Sequence, residues 1–367
     1  MKFSIARESF LAPLSHVASV IEKNQIIPIL ANVVLTVKEG WLELIGSDQE
    51  VQLKARVELA AAEDGAVTVP ARRLLDIFRL LPDHSRVSFE LREDRLLIRS
   101  GSSRFNLITL PVENYPAFDV GVPELEVRVE TIVFSKALEK TIFAIAQQDV
   151  RNYLKGLLID FEGKTLRTVA SDGHRLAVYQ EVLPEAFGVN RQIILPRKGV
   201  LELYRLLGDA DDRLIIQISP HTAHINLGSV TFSSKLIEGR YPDYQKVMPD
   251  PPLMTYIAAR DEFKGALSRV ALMTSEKQKC IGLEVGADGD MVLKGFNQEQ
   301  DEAEERLTVD ADGGPVSVGF NAAYLMDVVN HIDSKDFRLS FTSSATSCLV
   351  EDLLDTRFRY VVMPMRL

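Results

Sequence analysis

One pattern occurs three times along the chain, and that repetition limits the fold more than any other feature. Val67-Thr68-Val69-Pro70-Ala71-Arg72-Arg73 runs into apolar positions Leu74, Ile77, Phe78 and Leu81. Ile193-Ile194-Leu195-Pro196-Arg197-Lys198 runs into Val200, Leu203, Tyr204 and Leu207, and Val316-Ser317-Val318-Gly319-Phe320-Asn321 into Leu325, Val328, Val329 and Ile332. Each set has the i, i+3, i+4, i+7 spacing of one buried helix face, placed directly after a strand-like run. Leu74, Val200 and Leu325 stand 126 and 125 residues apart. A period of that length predicts a triplicated domain, not a solenoid of short units.

Other landmarks keep the period. An earlier helix is marked by Phe10, Leu14, Val17 and Ile21, then by Leu138, Ile142 and Ile145, then by Phe263, Leu267, Val270 and Thr274. Between the two helices of each copy lie strand runs: Val33 to Val37, Trp41 to Ile45 and Val51 to Val57; Leu157 to Phe161, Leu166 to Ala170 and Leu176 to Tyr179; Ile281 to Val285 and Met291 to Lys294. The copies close on related phrases, Arg104-Phe105-Asn106-Leu107, Thr231-Phe232-Ser233-Ser234 and Arg357-Phe358-Arg359-Tyr360. Proline-rich breaks near Val120-Gly121-Val122-Pro123 and Pro249-Asp250-Pro251-Pro252 predict domains over 1–122, 123–250 and 251–367. Each is expected to be an α+β domain of roughly 120 residues, with two helices packed on about eight short strands.

Composition excludes several classes. Hydrophobic residues make up 46% and charged residues 26% of the 367, which is globular composition and rules out wholesale disorder. The start, Met1-Lys2-Phe3-Ser4-Ile5-Ala6-Arg7-Glu8, has no apolar run of signal-peptide length, and no segment approaches the roughly 20 apolar residues of a membrane-spanning helix. Cys280 and Cys348 are far apart and lack metal-ligand spacing, so a disulfide framework and a zinc module are unsupported and a cytoplasmic location is expected. The net charge of −10 argues against retention on nucleic acid by electrostatics alone.

Longer phrases narrow the reading. Gln147-Gln148-Asp149-Val150-Arg151, Thr168-Val169-Ala170-Ser171-Asp172-Gly173-His174-Arg175-Leu176-Ala177-Val178, Pro196-Arg197-Lys198-Gly199-Val200, Gly239-Arg240-Tyr241-Pro242-Asp243-Tyr244 and the terminal Tyr360-Val361-Val362-Met363-Pro364-Met365-Arg366-Leu367 resemble the bacterial sliding clamps, the β subunits of DNA polymerase III. The resemblance runs in order over essentially the whole chain. It implies three similar clamp domains per subunit and a head-to-tail homodimer closed around duplex DNA. It also implies a non-catalytic, cofactor-free role that tethers the polymerase to its template.

Geometry agrees with a ring of two chains. A compact domain of about 120 residues is roughly 35 Å across. Three in a triangle leave a gap of about 5 Å, whereas six in a hexagon leave roughly 35 Å, enough for a duplex about 20 Å wide. A heterologous interface that closes after two copies gives a ring instead of a filament. A ring is held by topology and needs little phosphate affinity. Arg72, Arg73 and Arg79 against Asp76, and Arg197, Lys198 and Arg205 against Glu202, suit a mildly positive inner wall under an acidic exterior.

The resemblance also assigns residues. A pocket for short peptides of polymerases, the clamp loader and repair or translesion proteins maps to Leu154, Ser171, Gly173, His174, Arg175, Leu176, Pro242, Lys246, Val247, Asn321, Tyr324, Ser347, Val361, Val362, Met363, Pro364, Met365 and Arg366. Apolar and Met side chains suit such an adaptable receptor. Gln278 stands where the family often has an aromatic. DNA contact maps to Arg72, Gln148 and Tyr153, with Lys198 on the inner wall. Asn24 replaces a family arginine beside Lys23, and Asn152 replaces an aromatic. The dimer contact maps to Phe105 against Leu272 and Met273, flanked by Arg73 facing Glu299, Glu302 and Glu304 of the acidic run.

Catalytic readings are weaker. Ser171, Asp172 and His174 share one turn, whereas triad members converge from separate segments. His221 and His224 lack a third ligand at a recognised spacing, and no phosphate-cradling glycine motif occurs. The alternatives to a clamp are a metal-dependent nucleic-acid hydrolase acting through the acidic clusters, or a scaffold that never meets DNA.

Overall fold

The computed structural model describes every residue except 23–25, 249–251, 275–278, 298, 344–346 and 366–367. The first repeat runs β1 (Lys2–Ala6), α1 (Arg7–Ser19), β2 (Asn32–Lys38), β3 (Trp41–Ser47), β4 (Val51–Glu58), β5 (Ala62–Glu63), β6 (Gly65–Pro70), α2 (Ala71–Leu80), β7 (Arg86–Arg92), β8 (Arg95–Ser100) and β9 (Ser103–Ile108). The second runs β10 (Leu125–Glu130), α3 (Thr131–Glu139), β11 (Gly156–Glu162), β12 (Thr165–Ser171), β13 (Arg175–Val182), β14 (Arg191–Pro196), α4 (Arg197–Leu206), β15 (Arg213–Ile218), β16 (Thr222–Asn226) and β17 (Val230–Lys235). The third runs β18 (Met254–Ala259), α5 (Arg260–Ala271), β19 (Cys280–Val285), β20 (Asp290–Phe296), β21 (Glu302–Thr308), β22 (Asp310–Asp312), β23 (Val316–Asn321), α6 (Ala322–Asn330), β24 (Asp336–Phe341), β25 (Cys348–Asp352) and β26 (Phe358–Val362). All strand runs expected from the alternating pattern fall inside these elements.

The chain forms two compact units. The first, Met1–Ser135 with Lys198–Ile237, holds two sheets, ordered β10-β15-β16-β17-β4-β3-β2-β6 and β5-β1-β7-β8-β9. The larger joins strands of two repeats, with β17 antiparallel to β4 and Phe232 opposite Leu53. Its core includes Phe10, Phe78 and Phe89, fully buried or nearly so, with ring centres 4.5–5.8 Å apart. The second unit, Lys136–Arg197 with Glu238–Leu367, holds β14-β11-β12-β13-β26-β25-β24-β18-β22 and β21-β20-β19-β23. Here β26 lies antiparallel to β13, with Tyr360 opposite Ala177.

Register shows how closely the repeats match. Phe3 faces Phe89, Phe89 faces Ile98 and Ile98 faces Phe105. The same path runs Val127, Ile216, Ile225, Phe232 in the second repeat and Tyr256, Leu339, Val350, Tyr360 in the third. Tyr360 is therefore the counterpart of Phe105 and Phe232, two residues beyond the Phe358 that the closing phrases suggest. The likeness of those phrases is local, whereas register is set by which side chains reach the core.

One helix ends sooner than its apolar spacing implies. In the second repeat α3 stops at Glu139, and Ile142–Ala144 is a 3-10 turn. Counted from the helix starts, Val17, Thr141 and Val270 are equivalent; Val17 and Val270 lie over Gly46 and Gly295, and Ala170 holds the matching strand position in the second repeat. A Cβ on Gly46 would fall 2.5 Å from the Val17 carbonyl oxygen, and one on Gly295 2.4 Å from that of Val270. Ala170 carries that Cβ, and in this repeat Thr141 turns its hydroxyl back to the Ala137 carbonyl at 2.8 Å. The stripes of the second helices hold, save that Tyr204 is exposed.

Glu302–Thr308 is strand β21, the outer strand of its sheet. Both of its faces carry charge, which hides the strand alternation in the sequence. Among the described residues no helix is long and apolar enough to cross a membrane.

Candidate functional site

The turn between β12 and β13 is held by its own side chains. Ser171 Oγ donates to the Arg175 carbonyl at 2.7 Å and accepts from the Gly173 N–H at 3.1 Å. Asp172 Oδ1 accepts from the N–H groups of His174 and Arg175 at 3.0 and 3.1 Å. Gly173 takes φ +85°, a conformation glycine adopts without steric cost. Ser171, Asp172 and His174 are thus occupied in shaping a turn, and His174 stacks towards Tyr324 with ring centres 6.3 Å apart.

Arg175 lies under this turn. Its Nε donates to Asp172 at 2.9 Å, Nη2 to the Phe143 carbonyl at 2.6 Å, and Nη1 to the carboxylate of Asp327 on α6. The guanidinium sits 4.5 Å from the Tyr324 ring centre and 5.8 Å from that of Phe143. Burial works against its charge, but the Tyr360 phenol and the Asp327 and Asp172 carboxylates hold it protonated well above the usual arginine range. Tyr360 in turn donates to the Tyr324 carbonyl at 3.1 Å.

The remaining expected pocket residues gather around this centre to different degrees. Leu176 pairs with Val361 and Arg175 with Val362. Both valines are fully buried, so they act as core strand, not as receptor surface. The Met363 N–H donates to the His174 carbonyl at 2.9 Å, and the Met365 N–H to that of Gly319 at 2.8 Å. These bonds lay the half-buried Met363 and Pro364 and the exposed Met365 beside the turn. Asn321 caps α6, its side chain accepting from the Ala323 N–H at 2.9 Å. Leu154 is buried in a 3-10 turn. Tyr241, just before exposed Pro242, packs edge-on to Tyr153 at 6.4 Å. Lys246 is exposed and pairs with Asp243 at 3.3 Å, while Val247 and Ser347 are half-buried. Arg366 and Gln278 lie outside the described residues.

The expected DNA residues are spread over both units. Arg72 on α2 and Gln148 and Asn152 on the loop before β11 are exposed, and Tyr153 is half-buried. Lys198 is instead engaged by Glu22 and Asp48, so its charge is already balanced. Lys23 and Asn24 lie outside the described residues. Of the expected dimer residues, Phe105, Glu302 and Glu304 sit on the outer strands β9 and β21. Phe105 is half-buried on β9, the outer strand of its sheet, and Arg73 on α2 is exposed. Leu272 is exposed and Met273 half-buried just after α5. Glu302 and Glu304 are exposed on β21, and Glu299 is exposed shortly before it.

Asp327, Phe143 and Arg151 are parts of the site that sequence reasoning missed. Asp327 could have been found, since it lies one helical turn beyond Tyr324. Phe143 and Arg151 carry no local signal. Among the described residues no group of three or more His, Cys, Asp or Glu side chains is arranged to hold a metal ion.

The chain matches models of the DNA polymerase III beta subunit in three parts: the N-terminal domain over residues 1–119, the central domain over 128–243 and the C-terminal domain over 245–366. It is 41% identical to the beta sliding clamp of Pseudomonas putida and 40% identical to that of Escherichia coli K12, each covering 100% of both chains. A crystal structure of the Pseudomonas aeruginosa sliding clamp with ligand superposes with a TM-score of 0.97 at 40% identity over 100% of both chains. Another from the same organism is bound to griselimycin and superposes at 0.96, with the same identity and coverage. Three repeats joined by continuous sheets, the outer strands β9 and β21 and a hydrogen-bonded side-chain cluster beside the C-terminal strand are thus accompanied by full-length likeness to one group of proteins, and the chain belongs to the DNA polymerase III beta subunit family, the beta sliding clamps.

Proposed function

We propose that two copies of this chain close head to tail through β9 and β21, encircle duplex DNA, and hold partner peptides at the Tyr324–His174 pocket. The protein is a non-catalytic DNA polymerase processivity factor that slides on DNA and tethers the polymerase and other clamp-binding proteins. Its net charge of −10 is compatible with that role because enclosure, not phosphate affinity, retains it.

The observation that carries this reading is the repeat geometry. Strands β4, β13 and β21 are equivalent, since Leu53, Ala177 and Ala303 face Gly46, Ala170 and Gly295 in turn. The first two are covered by β17 and β26, the counterparts of β9. Within these two sets of equivalent strands, and among the described residues, β21 and β9 alone lack the neighbour their counterparts have, and open edges call for a partner. Applying the internal register sets Ala303 opposite Phe105 of the partner subunit, and Glu304 opposite Arg104 of the partner subunit. Leu272 and Met273 would then cover Phe105, with Arg73 near the acidic run.

We divide the domains at 1–122, 123–250 and 251–367, limits within which the strands of each repeat fall. The buried free thiols Cys280 and Cys348 suit a reducing cytoplasm. For DNA contact we assign Arg72, Gln148, Asn152 and Tyr153. Retention on plasmid is the direct test. Once loaded, the protein should stay on a nicked circle in high salt and leave the same DNA after linearisation. Equal loss from both forms would overturn encirclement.

A further inference from the structure

We infer that Glu22 stands in for a DNA phosphate on Lys198 and masks that lysine from the duplex, keeping the wall around the DNA weakly adhesive; this rests on the encirclement proposed above, with α4 on the wall that faces DNA. Lys198 Nζ donates to two carboxylates, Glu22 Oε1 and Asp48 Oδ2. All three residues belong to the first compact unit. Glu22 is held in place by its neighbour. Ile21, buried just after α1, packs over Gly46, whose would-be Cβ falls 3.1 Å from Ile21 Cδ1. Asp48 comes directly after β3, and its Oδ1 accepts from the N–H groups of Glu50 and Val51 at 2.9 and 2.7 Å. Burial opposes the Lys198 charge, yet the two carboxylates keep its ammonium protonated above the usual lysine range.

The two acids play different parts. The Asp48 side chain is 6% exposed, so it depends on a cation, and one ammonium meets that need. The Glu22 side chain is 56% exposed, and among the described residues its carboxylate has no partner but Lys198. An exposed pair of that kind adds little to the fold. It does offer the ammonium the same charge and acceptor oxygens as a backbone phosphate. Because Glu22 is tethered beside Lys198, its effective concentration exceeds that of a passing phosphate. Neighbouring charges are engaged elsewhere. Glu202, one turn along α4, binds Arg205 at 3.0 Å and accepts from Ser19 Oγ at 2.7 Å. Exposed Glu50 and Lys235 offset each other, the Lys235 N–H donating to the Glu50 carbonyl at 2.8 Å. Arg197, which begins α4, has its Nε buried, and Lys23 lies outside the described residues.

The test measures binding of the full-length protein to a short fluorescein-labelled duplex by anisotropy across a salt series, alongside thermal unfolding. Glu22→Gln should bind about three- to ten-fold more tightly at low salt and steepen the slope of log affinity against log salt by up to about one. Adding Lys198→Ala to that variant should cancel the gain. Glu50→Gln, which removes the same charge without touching Lys198, should leave the slope as it is. Destabilisation would weaken binding, so it cannot imitate the gain. An unchanged slope in Glu22→Gln, or a gain that survives the loss of Lys198, overturns the masking while encirclement, read separately by plasmid retention, stands. Equal loss from circular and linear plasmid overturns encirclement and this inference with it.

Discussion

The guanidinium of Arg151 lies across Gly173: a Cβ built on that glycine would fall 2.5 Å from Nη2 and 3.4 Å from Cζ. Asp149 fixes the arginine there, accepting from its backbone N–H, Nε and Nη2 at 2.7, 2.9 and 2.8 Å. Those bonds hold the Asp149 carboxyl well below its usual range. The loop assigned to DNA thus rests on the turn assigned to partner peptides.

Gly173→Ala should therefore do two things. The positive φ costs about 1 kcal/mol for any residue with a Cβ, and the methyl must also displace Arg151. Gly163, at φ +60° with nothing within 4 Å of its would-be Cβ, supplies the control. Gly163→Ala should lower the melting temperature slightly and leave peptide affinity alone, whereas Gly173→Ala should reduce both. Equal effects would mean that Arg151 moves aside freely.

The register derived for the joint predicts a specific charge pair. Glu304→Arg or Arg104→Glu alone should place like charges opposite each other and weaken the dimer roughly three- to ten-fold. The double reversal should recover most of the loss. Sedimentation mass against concentration reads this out, and absence of recovery would shift the register or remove the pairing.

Arg72 and Lys198 should behave differently on DNA. Arg72→Ala should lower the slope of log affinity against log salt by about one. Lys198→Ala should leave the slope and instead destabilise the fold by about 1–3 kcal/mol, because Asp48 loses its charged donor. Anisotropy on a short duplex across a salt series, with thermal unfolding, separates the two.

Acid should loosen the second unit through two carboxylates. Burial opposes their ionisation, but Asp352 accepts from Ser334 Oγ at 2.6 Å and from several backbone N–H groups, and Asp355 is bound by Arg357 and Lys136, each at 2.8 Å. Both carboxyls consequently lie below their usual value in the folded state. The stabilisation is complete above the ordinary carboxyl range, about pH 4, and is lost as pH falls from there towards the folded-state value. Asp355→Asn should cost about 3 kcal/mol at pH 7 and flatten the decline below pH 4, as followed by urea unfolding. An unaltered acid profile would move the effect elsewhere.

Much of this protein was legible before any fold was known. The stripes Phe10-Leu14-Val17 and Leu325-Val328-Val329, the alternation of Val51 to Val57 and the spacing of Leu74, Val200 and Leu325 are local, because helix and strand periodicity depend on neighbours a few residues away. Tertiary structure alone decided what those elements touch. It set Phe232 against Leu53 and Tyr360 against Ala177, closed Lys198 onto Glu22 and Asp48, ended α3 at Glu139, and brought Phe143 and Asp327 to Arg175. These contacts join residues from 32 to 183 positions apart, which no local pattern can specify; they are fixed by which surfaces must be buried together and by which edges are left open.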